Sequence, residues 1–423
     1  MQQQAIIERK PLWYSYWVIL SIMTTVGLSF LIYRYVVGMQ TTNMGSVVSW
    51  GLWISLYILF IGLSAGSFLL STFIYVFNMK QYERIGRLAL YSAALCLIMG
   101  LLFVLADLGH PERFWMVYSN LAITSVLWFE VMFYGLYIII ILVELYFLMR
   151  TDLIAIRDRS SGITHRIWRI LSLGSQRLDP ASKNRDMKIV KALGIIGIPT
   201  ALAVHGGTGS VFAVVSAVPH WHTPLLPIVF ITSALVSGAA LLLFMRAFLV
   251  KPAPDEMQFL SGLGKLTAGL LAIDWVLVAF EFLVILYGHV PGAIAPLEEM
   301  FFFSNWWIFW IIQVGIGVLI PAYLILIHKK SRFSLGFAGL AIMTGISAVR
   351  WNIVVPGLSI PKIEGGVFDF FFSPRLATSY WPSTVEWLSS LGLLALFMVL
   401  ISLGLKFLPL QITEQPIKHK GGH

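Results

Sequence analysis

The sequence predicts an all-α integral membrane protein of ten transmembrane helices, and three observations carry that prediction. Of 423 residues, 58% are hydrophobic and only 12% charged, with a mean hydropathy of +0.84, whereas soluble domains carry about 25% charged residues. The apolar residues gather in runs long enough to cross a hydrocarbon core of about 30 Å, which takes roughly 20 helical residues. The runs are continuous, whereas a barrel strand alternates over about ten residues, so the spanning backbone must satisfy its hydrogen bonds within each helix.

Ten segments qualify, at about 14–37, 50–78, 84–108, 122–149, 189–218, 224–250, 262–289, 300–328, 334–356 and 384–408. The first follows Arg9 and Lys10 but is too long for a signal peptide and ends in VVGMQTTNMG without a small-x-small cleavage site, so it reads as a retained helix. Residues 1–49 thus hold helix one, and 50–218 and 224–356 hold segments two to five and six to nine. An outer loop fills 357–383, and 384–423 is helix ten with an inner tail. With the N-terminus inside, 24 of the 29 Lys and Arg fall on inner segments, leaving Arg34, Arg113, Arg350, Lys362 and Arg375 on or near the outer side. That asymmetry obeys the positive-inside rule and places both termini inside. The net charge of +9 then reflects topology and anionic membrane lipid rather than a nucleic-acid partner.

A weak repeat runs through the chain: IGLSAGSFLL (Ile61–Leu70) resembles ALVSGAALLL (Ala234–Leu243), and RIGRLA at Arg84 is echoed by GLGKLT at Gly262. Both pairs have the same topology, which suggests two parallel four-helix bundles, segments two to five and six to nine, flanked by helices one and ten. Gly62, Ser64, Ala65 and Gly66 let helices approach closely. The same repeat, with Gly/Pro-interrupted helices such as GIIGIPT, also describes a secondary transporter. The polar stretch 151–188 reads as a basic inner linker with an interfacial helix around His165–Leu173. The outer stretches GGVFDFFFSPRLATSYWPS and HVPGAIAPLEEMFFFSNWW are rich in aromatics, Pro and Gly, as an interfacial belt or a surface covered by a partner would be. The single Cys96 excludes an internal disulfide and a Cys-ligated cluster.

Ionisable residues inside spans are functional candidates by default. Asp107 and Glu130 come near the outer ends of helices three and four, Glu281 lies in the outer half of helix seven and Arg350 toward the outer end of helix nine. Asp274, seven residues before Glu281, shares its helical face; the pair is either a proton relay or a hydrogen-bonded helix contact. Asp107 could instead cap the next turn or pair with Arg113. His205, in GIPTALAVHGGTGSVFA, is the only histidine inside a span, so no second one stands at matching depth for a bis-His haem, and a metal lacks ligands. A neutral imidazole offers one donor and one acceptor, which suits a quinone carbonyl or quinol hydroxyl, and Gly206 and Gly207 leave room for a flat ring.

Four motifs in order, WGLWISLYILFIGLSAGSFLL, DLGHPERFW, IPTALAVHGGTGSVFAVVSAVPHWHTPLLPIVFITSALVSGAA and AVRWNIVVPG, resemble the NrfD/PsrC family of polysulfide-reductase-type membrane subunits. The resemblance spans about Trp50 to Gly357 and is closest to the ten-helix branch that includes HybB, DsrP and the membrane subunits of alternative complex III. It implies a multi-pass subunit of a prokaryotic (inner) cell membrane that is not catalytic alone. As a quinone-reactive anchor it carries no haem or iron–sulfur cluster and exchanges electrons between menaquinone or ubiquinone and a four-cluster ferredoxin-like iron–sulfur subunit on the outer face. A catalytic subunit of molybdopterin, hydrogenase or cytochrome type completes such a complex. By motif, His205 and Asp107 would line the quinone head site, with Gly206 beside the histidine and Arg350 and Asn352 in support; Glu130 matches the family's habit of acidic residues in the bundle, and Asp107 or Glu130 would accept the associated proton. Family-level proposals of proton translocation would make Asp274 and Glu281 a half-channel toward the inside.

Overall fold

The computed structural model describes residues 10–289, 292–328, 331–360 and 376–411. Lys329, Lys330, Lys362, Arg375, most of the aromatic stretch 365–383, Arg9 and the inner tail with Lys418 and Lys420 lie outside the described residues. Among the described residues there is no strand, and ten helices are long and apolar enough to cross a membrane. They are α1 Lys10–Val37, α2 Leu52–Val76, α3 Glu83–Asp107, α4 Val126–Asp158 and α5 Pro180–Ala213. The remainder are α6 Leu226–Phe248, α7 Glu256–Gly288, α8 Ile308–Ile327, α9 Arg332–Ser359 and α10 Thr384–Phe407.

The helix starts are written locally. Ser125 accepts from the Trp128 N–H, Asp179 from Ser182 ahead of Pro180, and Ser383 forms a reciprocal capping box with Glu386; each satisfies an otherwise orphaned amide. The Asp179 cap lies well before the apolar run, so α5 begins about nine residues earlier than hydropathy predicts. At its other end α4 continues to Asp158. The expected inner linker 151–188 is therefore mostly helical, with a separate amphipathic helix at Gly162–Leu171 whose Ile163, Ile167 and Ile170 are exposed. Before α8, Ile294–Phe301 forms a short helix of its own. Within α8, Ile308–Leu319 and Tyr323–Ile327 take the wider π form.

We call the end of the bundle holding the Gly162–Leu171 helix the basic end, and the end holding the 108–125 and 214–225 connections the opposite end. α2 is the most enclosed helix, buried along nearly its whole length. It packs on α3, α5, α6 and α9; α4 pairs with α5, α6 with α7 and α9, and α8 with α9. The two terminal spans α1 and α10 pack on each other, and α10 leans on α3.

The repeated small-residue motifs meet face to face. A Cβ on Gly66 of α2 would fall 1.8 Å from the Ala234 carbonyl oxygen of α6, and one on Gly238 would fall 2.3 Å from the Gly66 carbonyl carbon. The α1–α10 contact is made the same way, with a Cβ on Gly27 landing 2.3 Å from the Gly392 Cα. Lipid tails are as apolar as leucine, so such close backbone packing, rather than hydrophobic exclusion, holds spans together.

Charged pairs tie the basic end. Arg150 donates to Asp186 at 2.6 Å and to Ser182, Ser175 and the Arg177 carbonyl, joining the extended ends of α4 and α5. Arg246 holds Glu256 bidentately at 2.8 and 2.7 Å, and Arg84 pairs with Asp255, holding that carboxyl down to about 2. Substituting Gly66→Ala forces the α2–α6 backbones apart and is expected to cost about 1–3 kcal/mol or more, read as a lower thermal midpoint of the purified chain. Gly269→Ala, whose Cβ meets open space on α7, should leave the midpoint unchanged or slightly raised.

Candidate functional site

His205 sits two turns before the end of α5 and is buried, with 1% of its surface exposed. Its ring tip lies on α2 at the central crossing: a Cβ on Gly62 would be 3.2 Å from both Cε1 and Nε2 and 3.5 Å from Ser237 Oγ of α6. On the α6 side the imidazole faces Phe230, with ring centroids 5.3 Å apart. The Phe230 backbone offers the ring a hydrogen-bonding contact, but that contact falls short of full hydrogen-bond geometry, so neither ring nitrogen has a well-formed partner. Unpaired buried polar atoms are rare and costly, so a histidine held this way invites a ligand.

Arg350 of α9 also packs on Phe230. Its guanidinium lies 4.4 Å over that ring, donates through Nη2 to Ser233 Oγ at 2.6 Å, and leaves Nε and Nη1 without partners. It is fully buried and within electrostatic reach of both His205 and Asp274. Asp274 itself accepts from Thr232 at 2.7 Å.

One turn beyond His205, Thr208 enters a buried hydroxyl cluster on Glu130. The Glu130 Oε1 accepts from Thr208, from Tyr57 at 3.0 Å and from Tyr134 at 2.5 Å, and the two phenols are 2.5 Å apart. This places α2, α4 and α5 around one carboxyl group. Toward the opposite end, Trp50, Phe212 and Trp221 close over the site: Phe212 meets Trp221 edge-on at 4.8 Å and Trp50 stacks on Trp221 at 6.0 Å.

A second polar place lies across α9. Glu281, Asn352, Gln313 and His220 line a cavity of about 30 Å³ among α6, α7, α8 and α9, space for one or two water molecules rather than an aromatic ring. Asn352 donates to Gln313 at 2.7 Å and leaves its own oxygen unpaired.

With this geometry in view, comparison with known proteins is decisive. The family described as polysulphide reductase, NrfD, matches residues 40–362. The chain belongs to the NrfD family. It is 44% identical to a selenate reductase subunit of Mesobacillus selenatarsenatis, over 96% of each chain. It is 29% identical to a putative dimethyl sulfoxide reductase membrane subunit of Halobacterium salinarum, covering 93% of this chain and 90% of that one. It is 26% identical to an Hdr-like menaquinol oxidoreductase integral membrane subunit of Archaeoglobus fulgidus, covering 95% and 94%. Ten apolar helices and NrfD membership together make it a multi-pass integral membrane protein, a membrane subunit like these relatives.

The sequence-predicted residues of this NrfD chain fall in three places. His205, Glu130 and Arg350 gather around α5 and α6. Asn352 and Glu281 belong to the cavity, because Arg350 and Asn352, two residues apart, project from opposite sides of α9. Asp107 stands apart from both: it lies beside the buried Arg34 of α1, within electrostatic reach of Glu386 of α10, and does not pair with Arg113. Gly206 does not open a slot for a ring, since a Cβ there would meet Ile231 Cδ1 at 3.1 Å, and the Gly207 position faces Glu130 at 3.7 Å. These glycines seat α6 and Glu130 against α5. Tyr57, Tyr134 and Thr208 escaped the sequence reading because a tyrosine or threonine within an apolar run carries no charge; the signal available was Glu130–Tyr134 at i, i+4 on one face. Thr208→Val or Tyr57→Phe removes one donor from a buried acceptor and should cost about 1–3 kcal/mol, measured as denaturation of the purified chain. The double variant should lose less than the sum, since both donors serve the same oxygen.

Proposed function

We propose that this chain is the quinone-reactive membrane subunit of a respiratory oxidoreductase, exchanging electrons between the quinone pool and an iron–sulfur subunit of the four-cluster ferredoxin type. The observation that carries this is His205: a buried imidazole whose nitrogens lack a well-formed hydrogen bond, within electrostatic reach of a buried arginine with two unpaired donors. A neutral imidazole accepts from a quinol hydroxyl or donates to a quinone carbonyl with the same ring. Arg350 would hold the second ring oxygen or the negative charge that develops there. Glu130, cradled by three hydroxyls, takes or returns the proton that accompanies each electron. Since the side chains around His205 are close-packed, the quinone head enters by displacing the aromatic cover of Trp50, Phe212 and Trp221.

The names of the relatives support the same reading: one is a menaquinol oxidoreductase subunit, and two are subunits of reductases named for selenate or dimethyl sulfoxide. They favour flow from a quinol, menaquinol first, toward a terminal reductase whose catalytic subunit binds the acceptor. The positive-inside count supports an orientation with the basic end inside and the aromatic cover at the outer face, where the iron–sulfur partner would dock. His205→Ala in the intact complex should lower quinol-linked turnover by at least 100-fold while activity with a soluble dye donor persists. Unchanged quinol turnover would refute the assignment.

A further inference from the structure

Glu144 of α4 is fully buried, and neither carboxylate oxygen has a hydrogen-bond partner. Among the described residues no ion pair reaches it. A leucine would pack there without the several kcal/mol that desolvating an unsatisfied carboxyl group costs, so packing does not explain it. Its position does. Glu130, Tyr134, Tyr137 and Glu144 stand at i, i+4, i+7 and i+14, a single face of α4. Side chains of that face reach α2, where Tyr57, Ser64, Ser71 and Tyr75 stand at i, i+7, i+14 and i+18 on one face, with Tyr57 donating to Glu130 at 3.0 Å and Ser71 to the Gly86 carbonyl of α3 at 2.9 Å. Ser64 Oγ is 3.3 Å from the Tyr137 hydroxyl and donates to the Ala93 carbonyl at 2.7 Å.

The upper end of this seam is the hydroxyl cluster on Glu130. Its lower end is Glu144, within electrostatic reach of Tyr137 and Tyr75. Beyond Tyr75, whose hydroxyl is also buried and unpaired, stands Arg87, paired at 2.5 Å with the half-exposed Asp152 at the basic end. Between Glu130 and Glu144 the rise is about 21 Å at 1.5 Å per residue, so the seam crosses most of the apolar thickness. Hydroxyls one turn apart relay protons when single waters complete the gaps, and the unpaired oxygens of Ser67, Thr72, Tyr75 and Glu144 are sites for such waters.

We propose that the His205–Glu130 site exchanges its protons with the basic end of the bundle along this α2–α4 seam, with Glu144 as the terminal proton carrier. The proposal rests on the quinone reading. Oxidation of one quinol then releases two electrons to the iron–sulfur partner and two protons, which pass in turn from the ring oxygens through Glu130 and the tyrosine hydroxyls to Glu144 and out beside Arg87. Quinone reduction draws the protons along the same path in reverse. Glu144 is a proton-carrying residue and touches no substrate.

The test uses the intact complex in proteoliposomes with a short-chain naphthoquinol. Glu144→Gln keeps the shape and hydrogen-bonding capacity but carries no transferable proton; it should lower quinol turnover at least tenfold, with subunit assembly and dye-linked activity unchanged. Glu144→Asp should restore part of the loss. Tyr137→Phe, which preserves the packing, should slow turnover as well and becomes the deciding variant if Glu144→Gln fails to assemble. Wild-type turnover in Glu144→Gln, or in Tyr137→Phe where that variant decides, overturns the seam. If His205→Ala still abolishes turnover in that case, the quinone reading stands without the seam; if His205→Ala is also silent, both fall.

Discussion

The structure depends on the backbone contact between α2 and α6 at Gly66 and Gly238. No side chain fits between these helices there, and backbone meets backbone. Everything that makes the site follows from it. One turn from Gly66, Gly62 offers a flat patch on which the His205 ring rests, and Ser237, beside Gly238, borders the same patch. α5 is held against both helices, so its histidine is fixed between two backbones rather than by its own hydrogen bonds. The neighbours that define the imidazole's position leave its nitrogens unoccupied. That is an unusual combination, and one that positioning by polar contacts would not give.

The buried ionisable groups divide by whether they are satisfied. At the basic end Arg150 makes four hydrogen bonds and Arg246 binds Glu256 through two. Breaking one partner of such a buried pair costs about 3–5 kcal/mol, so these groups hold helix ends together and read as architecture. In the apolar interior and toward the opposite end, His205, Arg350, Asn352 and Glu144 keep polar atoms without partners. A chain tolerates unsatisfied interior polar atoms where chemistry needs them. The contrast identifies candidates in this molecule better than burial alone, because all of these groups are buried.

Legibility followed charge and length. The ten spans were readable because each is a continuous apolar run, and their ends went astray where polar residues continue a helix beyond it, as at Asp179 and Asp158. His205 stood out because it is the one histidine in a span, and Glu130 because a carboxylate there is expensive. What could not be read was contact. Arg350 and Asn352 look like one motif in RWN, yet α9 turns them to different neighbours, and the glycines after His205 read as space but serve as seats for Ile231 and Glu130. Glu144 was equally legible in principle, four turns from Glu130 on the same face, but its significance appears only once α2 is seen to lay a row of hydroxyls beside it.

The placement of these groups also constrains how electrons and protons part company in the proposed scheme. A quinone head at His205 lies under the aromatic cover of Trp50, Phe212 and Trp221, close to the opposite end where a redox partner can approach, whereas the polar path away from Glu130 runs the other way, between α2 and α4. Electrons tunnel through packed aromatic side chains without moving atoms, but protons need a chain of exchangeable groups. The cover supplies only the indole N–H groups of Trp50 and Trp221 for that purpose, and that of Trp221 is committed to the Ile353 carbonyl at 2.6 Å. The α2–α4 seam supplies a hydroxyl at nearly every turn. In that scheme, a single buried site between an apolar aromatic cover and a hydroxyl-lined helix seam would send the two particles to opposite faces by the chemistry of its walls.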